Sequence, residues 1–136
     1  MMSTPTFPQG GLPEALGMRV TDEGEGWIEM AMPLGPIHMR PGEYRGIHAG
    51  TAVSLADTAC GFGCRSSLPE TATAFITIEL KSNLLSSAER GELLCRAEAI
   101  HLGRTTQVWQ ATVTSSESGK KVAVFQCTQL VIYPKP

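Results

Sequence analysis

Asp57 is the residue of this 136-residue chain that most needs a chemical explanation. It is the single charged side chain between His48 and Arg65, flanked by the small or apolar runs AVSLA and TACGF. A carboxylate in such surroundings loses hydration, becomes more basic and more reactive, and is costly to bury without a partner or a task. The plain alternative is a helix fixture bonded to Ser54 or Thr58. A second candidate is HLGRTT at residues 101–106, where Gly103 lets backbone approach a phosphate and Arg104 supplies charge. Its alternative is an exposed hairpin arginine. Cys60, Cys64, Cys95 and Cys127 lack the paired close spacings or accompanying histidines that zinc wants. They read as buried, reduced thiols acting as small hydrophobes, so no metal site is expected.

Asp57 must be carried by a helix. Residues 44–68 read as one long helix that is small or apolar on every face, so it should be covered on all sides. Residues 12–16 can form a helical turn closed by Gly17. Residues 18–21 and 27–32 read as strands joined by an acidic turn at 22–26, followed by a Pro- and Gly-punctuated loop over 33–45. Strands are then predicted over 71–83, 92–101, 105–115 and 122–133, with a hairpin turn at Ser118, Gly119 and Lys120. The order β–β–α–β–β–β–β is most simply an α+β fold, an antiparallel sheet curled around one central helix.

Composition narrows the function. The length suits one domain over residues 1–136, with 1–10 expected to be flexible. The net charge of −2 and scattered Lys and Arg offer no field for nucleic acid. No apolar run reaches the ~20 residues of a membrane span. The start of the chain lacks the basic and apolar segments of a signal peptide, which makes cytoplasmic the default expectation.

The order of elements, taken with GIHAGTAVSLADTACG, resembles the hot-dog fold acyl-CoA thioesterases. The nearest branch is the phenylacetate-pathway type, with the hydroxybenzoyl-CoA and hydroxynaphthoyl-CoA thioesterases. The family signature, G-x-x-H-G-G and then a helix with L-A-D/E-x-A, is echoed by Gly46, His48, Gly50, Leu55, Ala56, Asp57 and Ala59. ELKSN at 79–83 and HLGRTTQVWQ at 101–110 agree, so the likeness covers nearly everything after Leu12.

The resemblance implies hydrolysis of an acyl-CoA thioester, with an aryl or medium-chain acyl group among the options and no cofactor beyond the CoA of the substrate. Asp57 would be the nucleophile or the general base. The N–H groups of Ala49 and Gly50 at the helix start would hold the carbonyl as it becomes an oxyanion. His48 would either touch substrate or bond the preceding loop, and Thr77 would place a hydroxyl near the reacting centre. Leu84, Leu85, Ser86 and Ser87, with His101, Leu102, Gly103, Arg104, Thr105 and Thr106, would bind CoA. Some positions depart from the family pattern. Ala49 replaces a glycine, the loop amide expected near Gly42, Glu43 and Tyr44 is missing, Ser86 stands where some relatives have arginine, and Gly61 lacks a hydroxyl.

Such relatives are dimers, often paired into tetramers, with sites shared between subunits. Spacing agrees, since eight residues of helix separate Ala49 from Asp57 by about 12 Å at ~1.5 Å per residue. Two alternatives stay open here: an (R)-specific enoyl-CoA hydratase, whose usual motifs are absent, and a non-catalytic acyl-CoA binder.

Overall fold

The computed structural model describes residues 7–43 and 45–136; Tyr44 and most of the N-terminal stretch expected to be flexible fall outside that range. In chain order, a short helix α1 (Gly11–Ala15) precedes strands β1 (Arg19–Gly24) and β2 (Trp27–Pro33). A 3-10 turn at Pro36–His38 leads to the long helix α2 (Ala49–Ser66), followed by β3 (Ala74–Leu84), β4 (Glu92–Leu102), β5 (Thr106–Ser115) and β6 (Lys121–Ile132). The strands form one antiparallel sheet in the order β1-β2-β4-β5-β6-β3, which curls around α2.

Alternation builds the inner face of that sheet. In β6 the side chains of Phe125, Cys127, Gln129 and Val131 are buried, while Gln126 and Leu130 between them are exposed. Leu55, Ala56, Ala59, Cys60 and Cys64 of α2 join this face in one core with Met30, Leu93, Trp109, Val113 and Phe125. Small helix residues let the sheet approach closely. A Cβ on Gly63 would lie 2.5 Å from the Trp109 ring, so the indole rests against bare helix backbone. Trp109 Nε1 donates to Gln107 Oε1 (2.8 Å), and Gln107 Nε2 donates to the Ser67 carbonyl (3.0 Å), which ties the helix end to β5. All four cysteines are free and buried, as their spacing suggested.

Three expectations change. The acidic run at 22–26 does not end β1, because strand pairing continues to Gly24 opposite Trp27 and leaves a two-residue turn with Gly26 at φ +77°. β1 is an edge strand, and edges accept charge on their solvent side. The long loop contains the 3-10 turn and an isolated bridge from Met39 to Ile47. Finally, within one chain α2 is not covered all round: Gly50, Val53, Ser54, Asp57 and Thr58 form a half-buried stripe, with Val53 packed at the margin of the core. Beside it β3 is the other edge of the sheet, and it carries exposed Ile76, Ile78, Leu80 and Leu84.

Candidate active site

Asp57 lies on the half-buried stripe of α2. Its hydrogen-bonding partner comes not from its own helix but from β3, where Thr77 Oγ1 is 3.1 Å from Asp57 Oδ1. Thr77 Oγ1 is also 2.9 Å from Gln129 Oε1 of the neighbouring strand. Burial raises the Asp57 pKa above its ordinary value, and the Thr77 hydrogen bond opposes the rise. The carboxylate is therefore a stronger base than one in water and still partly open to a reactant. Among the thiols nearby, the hydrogen bond with Cys60 draws Cys127 below its ordinary value. Hydrogen bonding to Cys127 and burial push Cys60 well up, and burial pushes Cys64 and Cys95 up to about 12.

The start of α2 is fixed by histidines. His48 is the N-cap, and its Nδ1 accepts the Gly50 N–H at 2.8 Å. Nδ1 is thus an acceptor, so the neutral ring carries its proton on Nε2. This alters one expectation: the Gly50 N–H is held by His48 rather than free for a substrate oxygen. Nothing among the described residues accepts the Ala49 N–H, which remains the unengaged donor at this helix start. His48 thus caps α2 through its side chain.

His38, which the sequence pattern did not single out, anchors the same region. Its Nε2 lies 2.7 Å from the Leu16 carbonyl, and its own carbonyl accepts from His48 N (2.9 Å) and Thr51 Oγ1 (2.8 Å). Glu43 is exposed on the loop, Gly42 takes φ +82°, and no described side chain there replaces the missing amide.

The two segments expected to bind CoA lie apart. Ser87 packs on Gly46, where a Cβ would stand 2.2 Å from Ser87 Oγ, and Ile47 N donates to the Ala88 carbonyl (3.0 Å). Residues 84–87 therefore border the helix start, with Ser86 Oγ donating to the Lys121 carbonyl at 2.7 Å. The turn at 101–106 sits at the other end of the sheet, where Thr106 pairs with Leu130 and Gln107 with Gln129. In that turn Gly103 N donates to the Thr106 carbonyl (2.9 Å), and a Cβ on Gly103 would meet His101 Nε2 at 2.4 Å. The Arg104 guanidinium lies over the Tyr133 ring, 5.4 Å from its centroid, while the Tyr133 hydroxyl donates to the Arg104 carbonyl.

Leu84 pairs with Ala123 and Ile76 with Leu130, so seven residues of β6, about 23 Å at ~3.3 Å per residue, separate the two ends. Within one chain, then, Ala49 lies at the end of the sheet with residues 84–87, and Asp57 and Thr77 lie towards the end with 101–106. Among the described residues no group of three His, Cys, Asp or Glu side chains could hold a metal ion.

The model of the Thioesterase superfamily matches residues 46–122, more than half of the chain, including α2 and residues 84–87 and 101–106. The chain belongs to the thioesterase superfamily. A 1,4-dihydroxy-2-naphthoyl-CoA hydrolase from Listeria monocytogenes is 30% identical over 118 residues, covering 87% of this chain and 93% of that one. Among solved structures, a thioesterase from Haemophilus influenzae superposes with a TM-score of 0.81 at 32% identity, covering 89% of this chain and 82% of that one. The E. coli PaaI protein of the phenylacetic acid degradation operon gives a TM-score of 0.76 at 25% identity, covering 88% and 83%. The curled sheet around α2 is the hot-dog fold, and this thioesterase-superfamily chain is a thioester hydrolase.

Gln107 and Gln129 are two further buried polar residues that the sequence pattern missed. Both sit in the inward phase of alternating strands, and that break in an otherwise apolar stripe was the available signal.

Proposed function

We propose that this thioesterase hydrolyses an acyl-CoA ester in a site assembled from two copies of the chain. The carrying observation is the half-buried Asp57 carboxylate, hydrogen-bonded by Thr77 and lying on the face of α2 that its own sheet leaves open. Asp57 acts as general base: it takes a proton from water as the water oxygen attacks the thioester carbon. The Ala49 N–H of the other copy holds the carbonyl oxygen as it gains charge, assisted by the positive end of that helix. The tetrahedral intermediate then expels the CoA thiolate.

Geometry supports the shared arrangement. Two copies related by a two-fold axis, with β3 edges side by side and antiparallel, would set residues 84–87 of one near 101–106 of the other. The same pairing would bury Ile76, Ile78 and Leu80, an exposed apolar edge of the kind that stable monomers avoid. Two such dimers joining into a tetramer would leave this pairing intact.

Naming of the Listeria relative makes aryl acyl-CoA the first substrate class to try. The test is release of free thiol across short, medium, long and aryl acyl-CoA esters, with Asp57→Asn as the control. At least ~100-fold loss of rate is expected for the variant. Wild-type rates in folded Asp57→Asn would remove Asp57 from the chemistry.

A further inference from the structure

Thr77 stands between two groups that both lack an alternative strong partner, and its hydroxyl has one proton. Asp57 Oδ1 is 3.1 Å away on one side and Gln129 Oε1 2.9 Å away on the other. The hydroxyl cannot donate to both. Gln129 has no access to water, being 0% exposed. Its amide nitrogen reaches only Cys127 Sγ, at 3.5 Å. Gln107, its register partner on β5, is equally buried but ties a backbone carbonyl to an indole N–H, a complete structural bond set. Gln129 instead faces a hydroxyl and a thiol, and the hydroxyl leads to Asp57. A buried amide left with weak partners is costly, and Leu or Met would fill the position without that cost.

We propose that Gln129 is a positioning residue of the thioesterase, acting on Asp57 through Thr77; this rests on the general-base reading given above. With Asp57 ionised, the Thr77 proton belongs to the carboxylate, because a charge-assisted bond is the stronger of the two. The Gln129 amide then turns about its last bond. Nε2–H donates into Thr77 Oγ1, and Oε1 takes the Cys127 S–H. Every polar atom in the row is satisfied, and the hydroxyl rotor is held with its proton on Asp57. With Asp57 protonated, its O–H donates to Thr77 Oγ1, and the Thr77 proton passes to Gln129 Oε1, the orientation in the structure. The amide thus has one orientation for each state of the base. Without it, the Thr77 hydroxyl would be free to rotate away from the carboxylate.

The test is a double-mutant cycle. Gln129→Met keeps volume and removes the donor without leaving a buried group unpaired. It is expected to lower kcat about ten-fold with KM within about two-fold of wild type, a loss confined to the chemical step. Because the effect runs through one hydroxyl, Gln129→Met should cost less than about two-fold more in a Thr77→Val background. Wild-type kcat in Gln129→Met, or a full ten-fold loss in both backgrounds, would overturn the proposal in favour of packing alone.

A second measurement covers the case in which the variants do not fold. In proton–nitrogen correlation spectra of side-chain amides, the Gln129 pair should move on Asp57→Asn substitution while the Gln107 pair stays. An unmoved Gln129 pair overturns the proposal. The parent reading fails separately: an active Asp57→Asn sinks the general base, whereas an inactive one beside a wild-type Gln129→Met sinks only the role of Gln129.

Discussion

Replacing Ala49 with proline deletes one backbone N–H and little else. Ala49 is the first residue of α2, a helical position where proline is tolerated. The residue before it, His48, already has φ −65° and ψ 138°, the extended backbone that a following proline requires. In the shared-site arrangement this N–H is the oxyanion donor, and losing such a donor lowers kcat by roughly 10²–10³. Asp57→Asn removes the base from the other half-site, with a loss of at least ~10². Each pure dimer should therefore retain about 1% of wild-type activity or less.

Mixing the two variants in equal amounts, unfolding and reassembling, makes about half of the dimers mixed. In a mixed dimer one site combines both defects, and the other joins an intact Ala49 to an intact Asp57. Half the dimers with half their sites intact predicts recovery to about a quarter of wild type, some 25-fold or more above either parent. Thiol release from an aryl acyl-CoA reads the rate, and differently tagged variants verify that mixed dimers have formed. Verified mixed dimers as inactive as their parents would refute the two-copy site.

Three further outcomes are expected. Ile78→Glu places a charge on the exposed apolar edge of β3 and should shift the protein to monomer in analytical ultracentrifugation, with thioesterase activity lost; an intact dimer would remove that edge from the interface. Asp57 holds its proton more tightly when folded than at its ordinary 3.8, so its ionisation lowers stability as pH rises from that value through the raised one. Asp57→Asn should accordingly melt higher than wild type near neutral pH and lose the advantage in acid, while the acid limb of wild-type kcat/KM lies above the ordinary carboxylate range. Gly63→Ala puts a Cβ 2.5 Å from the Trp109 ring and should cost about 1–3 kcal/mol in urea unfolding through overpacking.

The order of elements was legible because strand alternation and the long apolar helix are strong periodic signals, and Asp57 because a lone charge interrupts that helix. Thr77 is one β-branched residue in a β-branched strand, so no pattern marked it; resemblance placed it, and it lies on Asp57. For His48 the sequence offered a bond to the preceding loop or a substrate contact, and not the side-chain cap, since histidine is not among the usual capping residues. Only coordinates put its Nδ1 on the Gly50 N–H. Gln129 was masked because a strand reading registers the alternation of Phe125, Cys127 and Val131 and passes over what the polar member might bond. The uncovered stripe of α2 could not be read from residue types at all, because Gly50, Val53 and Ser54 suit a core or an interface equally well.

The contact between Trp109 and the bare backbone at Gly63 has an evolutionary consequence. It fills the space between helix and sheet with a side chain that is 0% exposed, so the interior of a single chain is closed to the acyl group. Mutations that alter which esters are accepted must therefore arise on the open stripe of α2, along β3 and in the loops at the two ends. Mutations in the packing between Trp109 and Gly63 are screened through folding. The two kinds of selection act on separate sets of residues, which leaves substrate range free to drift rapidly in a lineage while the packing around Trp109 stays fixed.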